Sequence, residues 1–483
     1  MAGGPRPGTE LPQADACPVT LAQLQAALAA AIEQAACRVG RPACIVLAVS
    51  GGPDSLALLL AAARSPGYTR TDRPEFLVVT VDHGLRPEAA AEAQFVAAIA
   101  AAHGLRHRTM RMVSSPTAGN VPAAARRGRY DLLIEAARDA GANAIVTAHH
   151  EDDQFETHLH ALGRKAGPVG LAAMRPVRDL APRMVLLRPF LGMPGQRLKA
   201  LVAASGIAAV DDPTNHDLRY ERTRLRIKLA DLDRAALRHD IARYRRERDA
   251  LEAAQATVIR ESEASGALRL GDDGVLRLGR GAFRQLQGAV AFAFLSRVLR
   301  AVSGGDYAPG ADSVLRLQEA LISPSARVAM TLGGAMIDAD PDTITFLREY
   351  GRSGIAAVPV GIVDAIIFDG RFRVQVPTGP GLSEARLQAF GATGRGSRVE
   401  RTLPVLAGGA GLLAVPAALA AKAPAALGQL HVSSLLRWRL LRDLPLAPTP
   451  ALPLRDHAAS GFAAKAPEHV GKAGDTTYLP SSV

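Results

Sequence analysis

The chain has 483 residues, 48% of them apolar and 21% charged, so it is long enough for about two to four domains with sizeable cores. These proportions exclude a disordered chain and a small disulfide-stabilised domain. The formal net charge of +11 allows an anionic partner such as nucleic acid but does not identify one.

Cysteine usage and hydropathy restrict the class of protein further. The three cysteines, Cys17, Cys37 and Cys44, exclude a disulfide framework and a cysteine-rich zinc module. Residues 1–18 lack the apolar core of a secretory signal, and the longest uncharged stretch, 403–421, is interrupted by glycines and prolines. We therefore predict a soluble, cytoplasmic protein with no membrane segment.

Helices and short β-branched strands alternate in the first half of the chain. After a loose tail (1–20), a helix is predicted at 21–38. Buried strands are then predicted at 44–49, 76–81 and 144–147, separated by helices at 55–64, 88–103 and 123–140. This alternation predicts an α/β fold with a doubly wound parallel sheet, which binds ligands at the carboxyl ends of its strands.

The second half of the chain has a different pattern. From Arg219 the sequence is basic and helical, and beyond it two segments with a glycine at the turn, 268–279 and 366–376, predict hairpins. In the second hairpin Asp369-Gly370 supplies the turn. Residues 456–483 are small and polar and are predicted to be disordered.

The segment SGGPDS, residues 50–55, follows the first strand and opens a helix. Its glycines allow a sharp turn and close approach to a ligand, while the helix N-terminus favours an anion. Pro53 suits the first helical position, which needs no N–H donor. A carboxylate would repel bare phosphates, so Asp54 predicts a Mg²⁺ ion that bridges them.

Two further segments bring polar groups to strand ends. VDHGLR, residues 81–86, ends the second strand. HHEDDQFET, residues 149–157, ends a later strand and puts Asp152, Asp153 and Glu156 on the first turns of a helix. Three carboxylates and the two histidines, His149 and His150, exceed what helix capping requires, and together they predict metal or substrate binding.

Together these motifs resemble the tRNA(Ile)-lysidine synthetase family, within the PP-loop class of ATP pyrophosphatases. The resemblance covers about residues 43–230. It also includes RRGRY (126–130), GPVGLAAM (167–174), RPFL (188–191), DDPTN (211–215) and RYERTRLR (219–226).

The resemblance implies a carbon–nitrogen ligase that acts in two steps. ATP would adenylate the wobble cytidine of the isoleucine tRNA with a CAU anticodon, and free L-lysine would then displace AMP to give lysidine. The implied cofactors are ATP and Mg²⁺, and the partners are this tRNA and lysine. A homodimer is one open oligomeric state.

Matching positions receive roles from the resemblance. ATP binding falls to Ser50, Gly51, Gly52, Pro53, Asp54, Ser55, Asp82, His83, Gly84 and His149. The resemblance implies that Asp54, Asp153 and Arg126 are catalytic and that Asp54 and Asp153 bind the metal ion. Lysine binding falls to Asp152 and Glu156, and tRNA binding to Arg129, Arg222, Arg224 and Arg226.

The resemblance also implies an adenine nucleotide hydrolase-like fold, followed by a helical region and a mixed α+β C-terminal part. The predicted bounds are 1–42 for the tail and first helix, 43–230 for the PP-loop catalytic domain, 231–345 for a helical and mixed tRNA-contacting region, 346–455 for a β-rich region and 456–483 for the tail.

The chain departs from the family pattern at Pro122, at Lys165-Ala166 and at Thr223, all outside the SGGPDS loop. Two alternatives stay open: another PP-loop enzyme that adenylates tRNA or a small molecule, and a nucleic-acid-binding protein with an inactive PP-loop. The absence of any cysteine after Cys44 argues against a tRNA thiolase of this class.

Overall fold

A computed structural model describes residues 19–63, 74–82, 84, 88–112, 121–210, 224–225, 229, 231–323, 327–361, 365–377, 382, 384–409, 411–422, 424 and 427–445. The chain divides into two compact units, a first unit up to Arg248 and a second unit from Asp249. The predicted tail at 456–483 lies outside the described residues. Within the described ranges, no helix has both the length and the apolar character needed to cross a membrane.

The first unit alternates helices and strands, as the sequence predicts. Its elements are α1 (Leu21–Val39), β1 (Cys44–Ala48), α2 (Pro53–Ala63), β2 (Glu75–Asp82), α3 (Ala89–Ala102), β3 (Arg106–Arg111), α4 (Val121–Asp139), β4 (Ala144–Val146), α5 (Glu151–Gly163), α6 (Pro168–Leu171), β5 (Val177–Ala181), β6 (Met184–Leu187) and α7 (Gly195–Ala204).

The strands form one six-stranded sheet in the order β3-β2-β1-β4-β6-β5. All neighbours are parallel except β5 and β6. The chain runs outward from β1 through β2 to β3 and then returns to β4 on the other side of β1. This reversal places a crevice at the carboxyl ends of β1 and β4, where doubly wound sheets bind ligands. The predicted fold class is confirmed.

Apolar side chains cover both faces of this sheet, because alternate residues of each strand point to opposite faces. On one face, Ile45, Leu47 and Val49 pack against α1 and α2. On the other face, Val46 and Ala48 pack against Leu133 and other residues of α4. With helices fixed on both faces, the residues that follow each strand are held at the carboxyl edge.

A long helix, α8 (Arg234–Ala264), contains the boundary between the two units and confirms the helix predicted around 243–249. The rest of the second unit consists of β7 (Leu268–Leu270), β8 (Leu276–Gly279), α9 (Arg280–Arg284), α10 (Gly288–Ser303), α11 (Ala311–Ile322), β9 (Val328–Leu332), β10 (Ala335–Ala339), β11 (Thr343–Arg348), β12 (Val358–Pro359), β13 (Ala365–Phe368), β14 (Phe372–Gln375), β15 (Arg386–Ala389), β16 (Pro404–Gly408), β17 (Gly411–Pro416), β18 (Gly428–Leu430), β19 (Val432–Ser434) and α12 (Leu436–Leu441). Short 3₁₀ segments occupy Phe390–Thr393, Glu400–Thr402 and Ala417–Lys422.

Both predicted hairpins are present in the second unit. β7 pairs with β8, and β13 pairs with β14, in antiparallel register. Asp369 and Gly370 both have positive φ angles, 49° and 64°, as a two-residue turn of this kind requires. Arg371 follows this turn but is buried, where its guanidinium donates to Asp369 and to the carbonyl of Thr402.

Candidate active site

The SGGPDS segment forms a tight loop between β1 and α2. The Ser55 hydroxyl accepts from the backbone N–H of Ser50 at 3.2 Å and donates to the carbonyl of Gly52 at 2.8 Å. Gly51 has a φ of +88°, and a Cβ there would lie 3.0 Å from Val210, so this position needs glycine. Pro53 begins α2 as predicted, because its nitrogen has no hydrogen to leave unpaired.

Asp54 lies in the first turn of α2 with a half-buried side chain. Its Oδ2 is 3.4 Å from Nε2 of His150. Its Oδ1 is buried and has no hydrogen-bond partner within the described part of the chain. A buried carboxylate oxygen without a partner is costly, so Oδ1 has the character of a group that awaits a ligand.

His150 is the buried N-cap of α5 and connects Asp54 to Asp153. Its Nε2 is also 3.7 Å from Oδ2 of Asp153, which accepts from the His150 backbone N–H at 3.0 Å. Burial disfavours the charged imidazole, but the hydrogen bond with Asp54 and the charges of Asp153, Asp54 and Asp152 raise the pKa of His150 to about 9. At neutral pH this pKa favours the protonated ring, whose two N–H groups face Asp54 and Asp152. Nδ1 can accept from the Asp152 N–H, 3.2 Å away, only when the ring is neutral.

Asp152 has both of its carboxylate oxygens engaged. Oδ2 accepts from the backbone N–H of Gly195, the first residue of α7, at 3.1 Å. Oδ1 accepts from the guanidinium of Arg234. A Cβ at Gly195 would lie 2.7 Å from Cε1 of His150 and 2.8 Å from Oδ2 of Asp152, so glycine permits this approach.

Sequence reasoning missed Glu151, Arg234 and Arg238. Glu151 is buried and accepts from Nε of Arg238 at 2.6 Å and from Arg234 at 3.2 Å. The Arg234 guanidinium also lies 5.1 Å from the ring centre of Phe155. These contacts attach the start of α8 to the first turn of α5. The carboxylates of HHEDDQFET signal a site, but its basic partners lie more than 80 positions away in the sequence.

His149 follows β4 and interacts electrostatically with three arginines. Its Nδ1 lies 2.8 Å from the hydroxyl of Thr147. Burial lowers the pKa of His149 to about 3, and the charges of Arg188, Arg126 and Arg129 act in the same direction against that of Asp153. His149 is therefore a neutral imidazole at physiological pH.

The remaining predicted residues are distributed as follows. Asp82 ends β2, where its Oδ1 accepts from the Gly84 N–H at 2.8 Å. Glu156 is buried on α5. Arg224 is exposed. His83, Arg222 and Arg226 lie outside the described residues, as does the DDPTN motif.

Mg²⁺ fits this donor set. In the described ranges, no group of three His, Cys, Asp or Glu side chains could hold a metal by itself. Mg²⁺ commonly binds through one or two carboxylates and completes its shell with water and substrate phosphates. The unpartnered oxygen of Asp54 and the neighbouring carboxylate of Asp153 provide such a pair next to a loop suited to phosphate.

Comparison with known proteins gives the same assignment. A family described as a PP-loop domain matches residues 22–232. The chain is 40% identical to a "tRNA(Ile)-lysidine synthase" of Methylobacterium nodulans over 64% of this chain and 91% of the relative. It is 37% identical to the protein of that name from Ruegeria pomeroyi over 72% of this chain and 80% of the relative.

Among solved structures, a U34-tRNA thiolase from Methanococcus maripaludis is 12% identical, with a TM-score of 0.35, over 46% of this chain and 80% of that one. This superposition is too loose to bear on function. The two curated relatives, in contrast, match along 91% and 80% of their length at 40% and 37% identity. The chain belongs to the tRNA(Ile)-lysidine synthase family.

Proposed function

We propose that this chain is a ligase that converts the wobble cytidine of CAU-anticodon tRNA(Ile) to lysidine, using ATP and free L-lysine. Family membership supports the reaction. The observation within the chain that carries it is the position of Asp54, beside the SGGPDS loop and in contact with His150 next to Asp153.

In the first step, the carbon-2 oxygen of the cytidine attacks the α-phosphorus of ATP, and pyrophosphate leaves. The loop from Ser50 to Ser55 would hold the phosphates, because its backbone is turned sharply at Gly51 and opens the N-terminus of α2. Asp82, His83 and Gly84, at the end of β2, would contact the nucleoside. Arg126 would offset the charge that develops at the reacting phosphate.

Asp54 and Asp153 are the residues that would hold Mg²⁺. When bound, the ion would neutralise phosphate charge and stabilise the departing pyrophosphate. His150 positions both carboxylates, since its one Nε2 atom lies within 4 Å of an oxygen from each of them.

In the second step, the ε-amine of lysine attacks carbon 2 of the cytidine ring, and AMP leaves with its oxygen. The amine must first lose a proton, because the pKa of free lysine is about 10.4. Glu156 and Asp152 are the proposed lysine ligands. Lysine would reach Oδ1 of Asp152 only by sharing or displacing Arg234.

The tRNA would contact basic side chains around the sheet edge and beyond it. We assign this role to Arg129, Arg222, Arg224 and Arg226, which offer guanidinium groups to backbone phosphates. The cytoplasmic location and a homodimer stay predictions, and sedimentation of the purified protein would test the second.

The test is incorporation of labelled lysine into a transcript of CAU-anticodon tRNA(Ile) with ATP and Mg²⁺. A methionine tRNA with the same anticodon is the matched control. We expect ATP-dependent labelling of the isoleucine tRNA alone, with release of AMP and pyrophosphate. ATP cleavage that labels neither tRNA would contradict the proposed substrate.

A further inference from the structure

Arg188, the first residue after β6, has no part in the roles assigned above. It is only 3% exposed. Its guanidinium donates from NH1 to the carbonyl of Arg175 at 2.9 Å and also interacts with the Tyr130 hydroxyl. Its Nε is buried without a hydrogen-bond partner, and no carboxylate pairs with Arg188 in the described part of the chain.

The sheet register places Arg188 at the edge that carries the active site. β6 pairs with β4 through Leu187 and Val146, and the N–H of Thr147 donates to the Leu187 carbonyl at 3.0 Å. Arg188 and Thr147 therefore follow neighbouring strands at the same level. His149 is two residues further, and β4 in turn neighbours β1 and its loop.

Two more guanidinium groups belong to the same neighbourhood. Arg126 and Arg129 lie on α4, half-buried or exposed, and neither makes an ion pair within the described ranges. Burial lowers the pKa of Arg188, and the charges of Arg178 and Arg126 lower it further, while the Tyr130 phenol raises it. Burial and the charge of Arg126 likewise lower the pKa of Arg129.

Arg188 is a buried cation that the charge of Arg126 repels, and such a group is expensive unless an anion completes it. Arg188 together with Arg126, which is assigned above to the reacting phosphate, calls for more than one negative charge, and the single carboxylate of a free amino acid does not provide this. A nucleic-acid backbone cannot readily reach a side chain that is 97% covered. A polyphosphate is small enough and sufficiently charged, and guanidinium groups match its oxygens well.

We propose that Arg188 binds the β- and γ-phosphates of ATP, the part that leaves as pyrophosphate. This role rests on the proposed function, because it assigns one more residue to the ATP-consuming step. Arg188 would complement Mg²⁺ by contacting the polyphosphate from the β6 side of the sheet.

Calorimetric binding of Mg-ATP, Mg-pyrophosphate and AMP to the full chain, without tRNA or lysine, tests this role. We expect Arg188→Gln to weaken ATP and pyrophosphate binding about 10- to 100-fold and to leave AMP binding unchanged. Arg188→Lys, which keeps the charge but not the planar fork, should lie between Gln and wild type. Arg183→Gln is the control, since Arg183 is an exposed arginine in the turn between β5 and β6.

Selective loss of polyphosphate affinity distinguishes ligand binding from a structural role, because a distorted site would also lose AMP. Equal weakening of all three ligands, or unchanged pyrophosphate binding in both Arg188 variants, would overturn the proposal. So would a higher KM for lysine with unchanged ATP affinity, since the anion would then be the lysine carboxylate. Failure of the proposed function would appear separately, as wild-type protein that binds ATP but forms no lysidine.

Discussion

Arg188 in the first unit and Arg280 in the second are both almost completely buried, but their guanidinium groups are bonded very differently. Arg280 donates to four backbone carbonyls, those of Leu321, Asp340, Ala320 and Ser323. Among the described residues, Arg188 donates to one backbone carbonyl, that of Arg175, and also interacts with the Tyr130 hydroxyl. The same contrast separates two aspartates: Asp369 accepts from Arg348 and Arg371, whereas Oδ1 of Asp54 is buried without a partner.

The difference separates groups that stabilise the fold from groups that are available to a ligand. Arg280 satisfies the carbonyls at the end of α11 and holds the β10–β11 turn, so its burial is offset within the protein. Asp54 and Arg188 leave hydrogen-bonding capacity unused at the carboxyl edge of a doubly wound sheet. Burial of a charged group therefore indicates its role only when its hydrogen-bond and ion-pair partners are also known.

The largest expected effect is on catalysis, from a substitution at Asp54, whose Oδ1 has no hydrogen-bond partner among the described residues. Asp54→Asn should lower the rate of AMP release about 1,000-fold, because the amide cannot replace a carboxylate as a Mg²⁺ ligand. The measurement is single-turnover AMP formation with CAU-anticodon tRNA(Ile), with and without chelation of Mg²⁺. Asp139→Asn, in an exposed ion pair with Arg108, is the control and should behave as wild type. Equal rates in the two variants would remove Asp54 from the metal site.

A substitution at Arg280, which donates to four backbone carbonyls, should instead lower the stability of the protein. Arg280→Gln leaves several buried carbonyls without a donor, and we expect the second unit to lose about 2–4 kcal/mol of unfolding free energy. Denaturant titration followed at Trp438, which lies in this unit, measures the loss. Mg-ATP affinity of the folded variant should stay at the wild-type value. Weaker ATP binding would show that the contrast with Arg188 does not hold.

A third prediction concerns a carboxylate that is engaged although it lies in the active site. Gly195→Ala would push a Cβ into His150 and Asp152, and we expect kcat/KM for lysidine formation to fall about 10- to 100-fold. Gly192→Ala is a close control, because a Cβ there meets no atom within 4 Å. If both alanine variants have the same activity, the link between α7 and the Asp152 carboxylate is not needed for catalysis.

The smallest effect is expected for an exposed cation. Arg224→Gln should weaken tRNA binding only about two- to fivefold and reduce the dependence of log Kd on log salt concentration by about one unit. Filter binding over a range of salt concentrations measures both quantities. Arg106→Gln, which removes another exposed arginine from the edge strand β3, should change neither. An Arg224 variant with the wild-type salt dependence would place this residue outside the tRNA contact.

Much of the first unit can be predicted from the chain alone because its signals are local. Short β-branched runs predict β1, β2 and β4, and the glycine-rich turn with Pro53 predicts the start of α2. β3 is missed because RHRTMR is a polar strand at the edge of the sheet, where little burial is needed. The hairpin at Asp369-Gly370 is predicted because both turn residues tolerate positive φ.

The candidate site is predictable as a set of residue types but not as a set of bonds. The carboxylates after β4 are apparent in the sequence, whereas the engagement of Asp152 depends on Gly195 and Arg234, which lie 43 and 82 positions away. No local pattern shows that Asp152, unlike its neighbour Asp153, pairs with Arg234. The ion pair between the buried Glu151 and Arg238 cannot be predicted from the sequence for the same reason.

By itself, the sequence determines the family, the alternation that builds a doubly wound sheet and the glycine-rich loop after β1, because each depends on residues close together in the chain. Only the tertiary structure decides which charged groups are satisfied by the protein and which are left for a ligand. Whether a buried polar group finds a hydrogen-bond partner depends on how elements that are distant in the sequence pack against it. Arg188 and Arg280 illustrate this, because both are buried arginines and only the packing of distant elements gives Arg280 its four carbonyl acceptors.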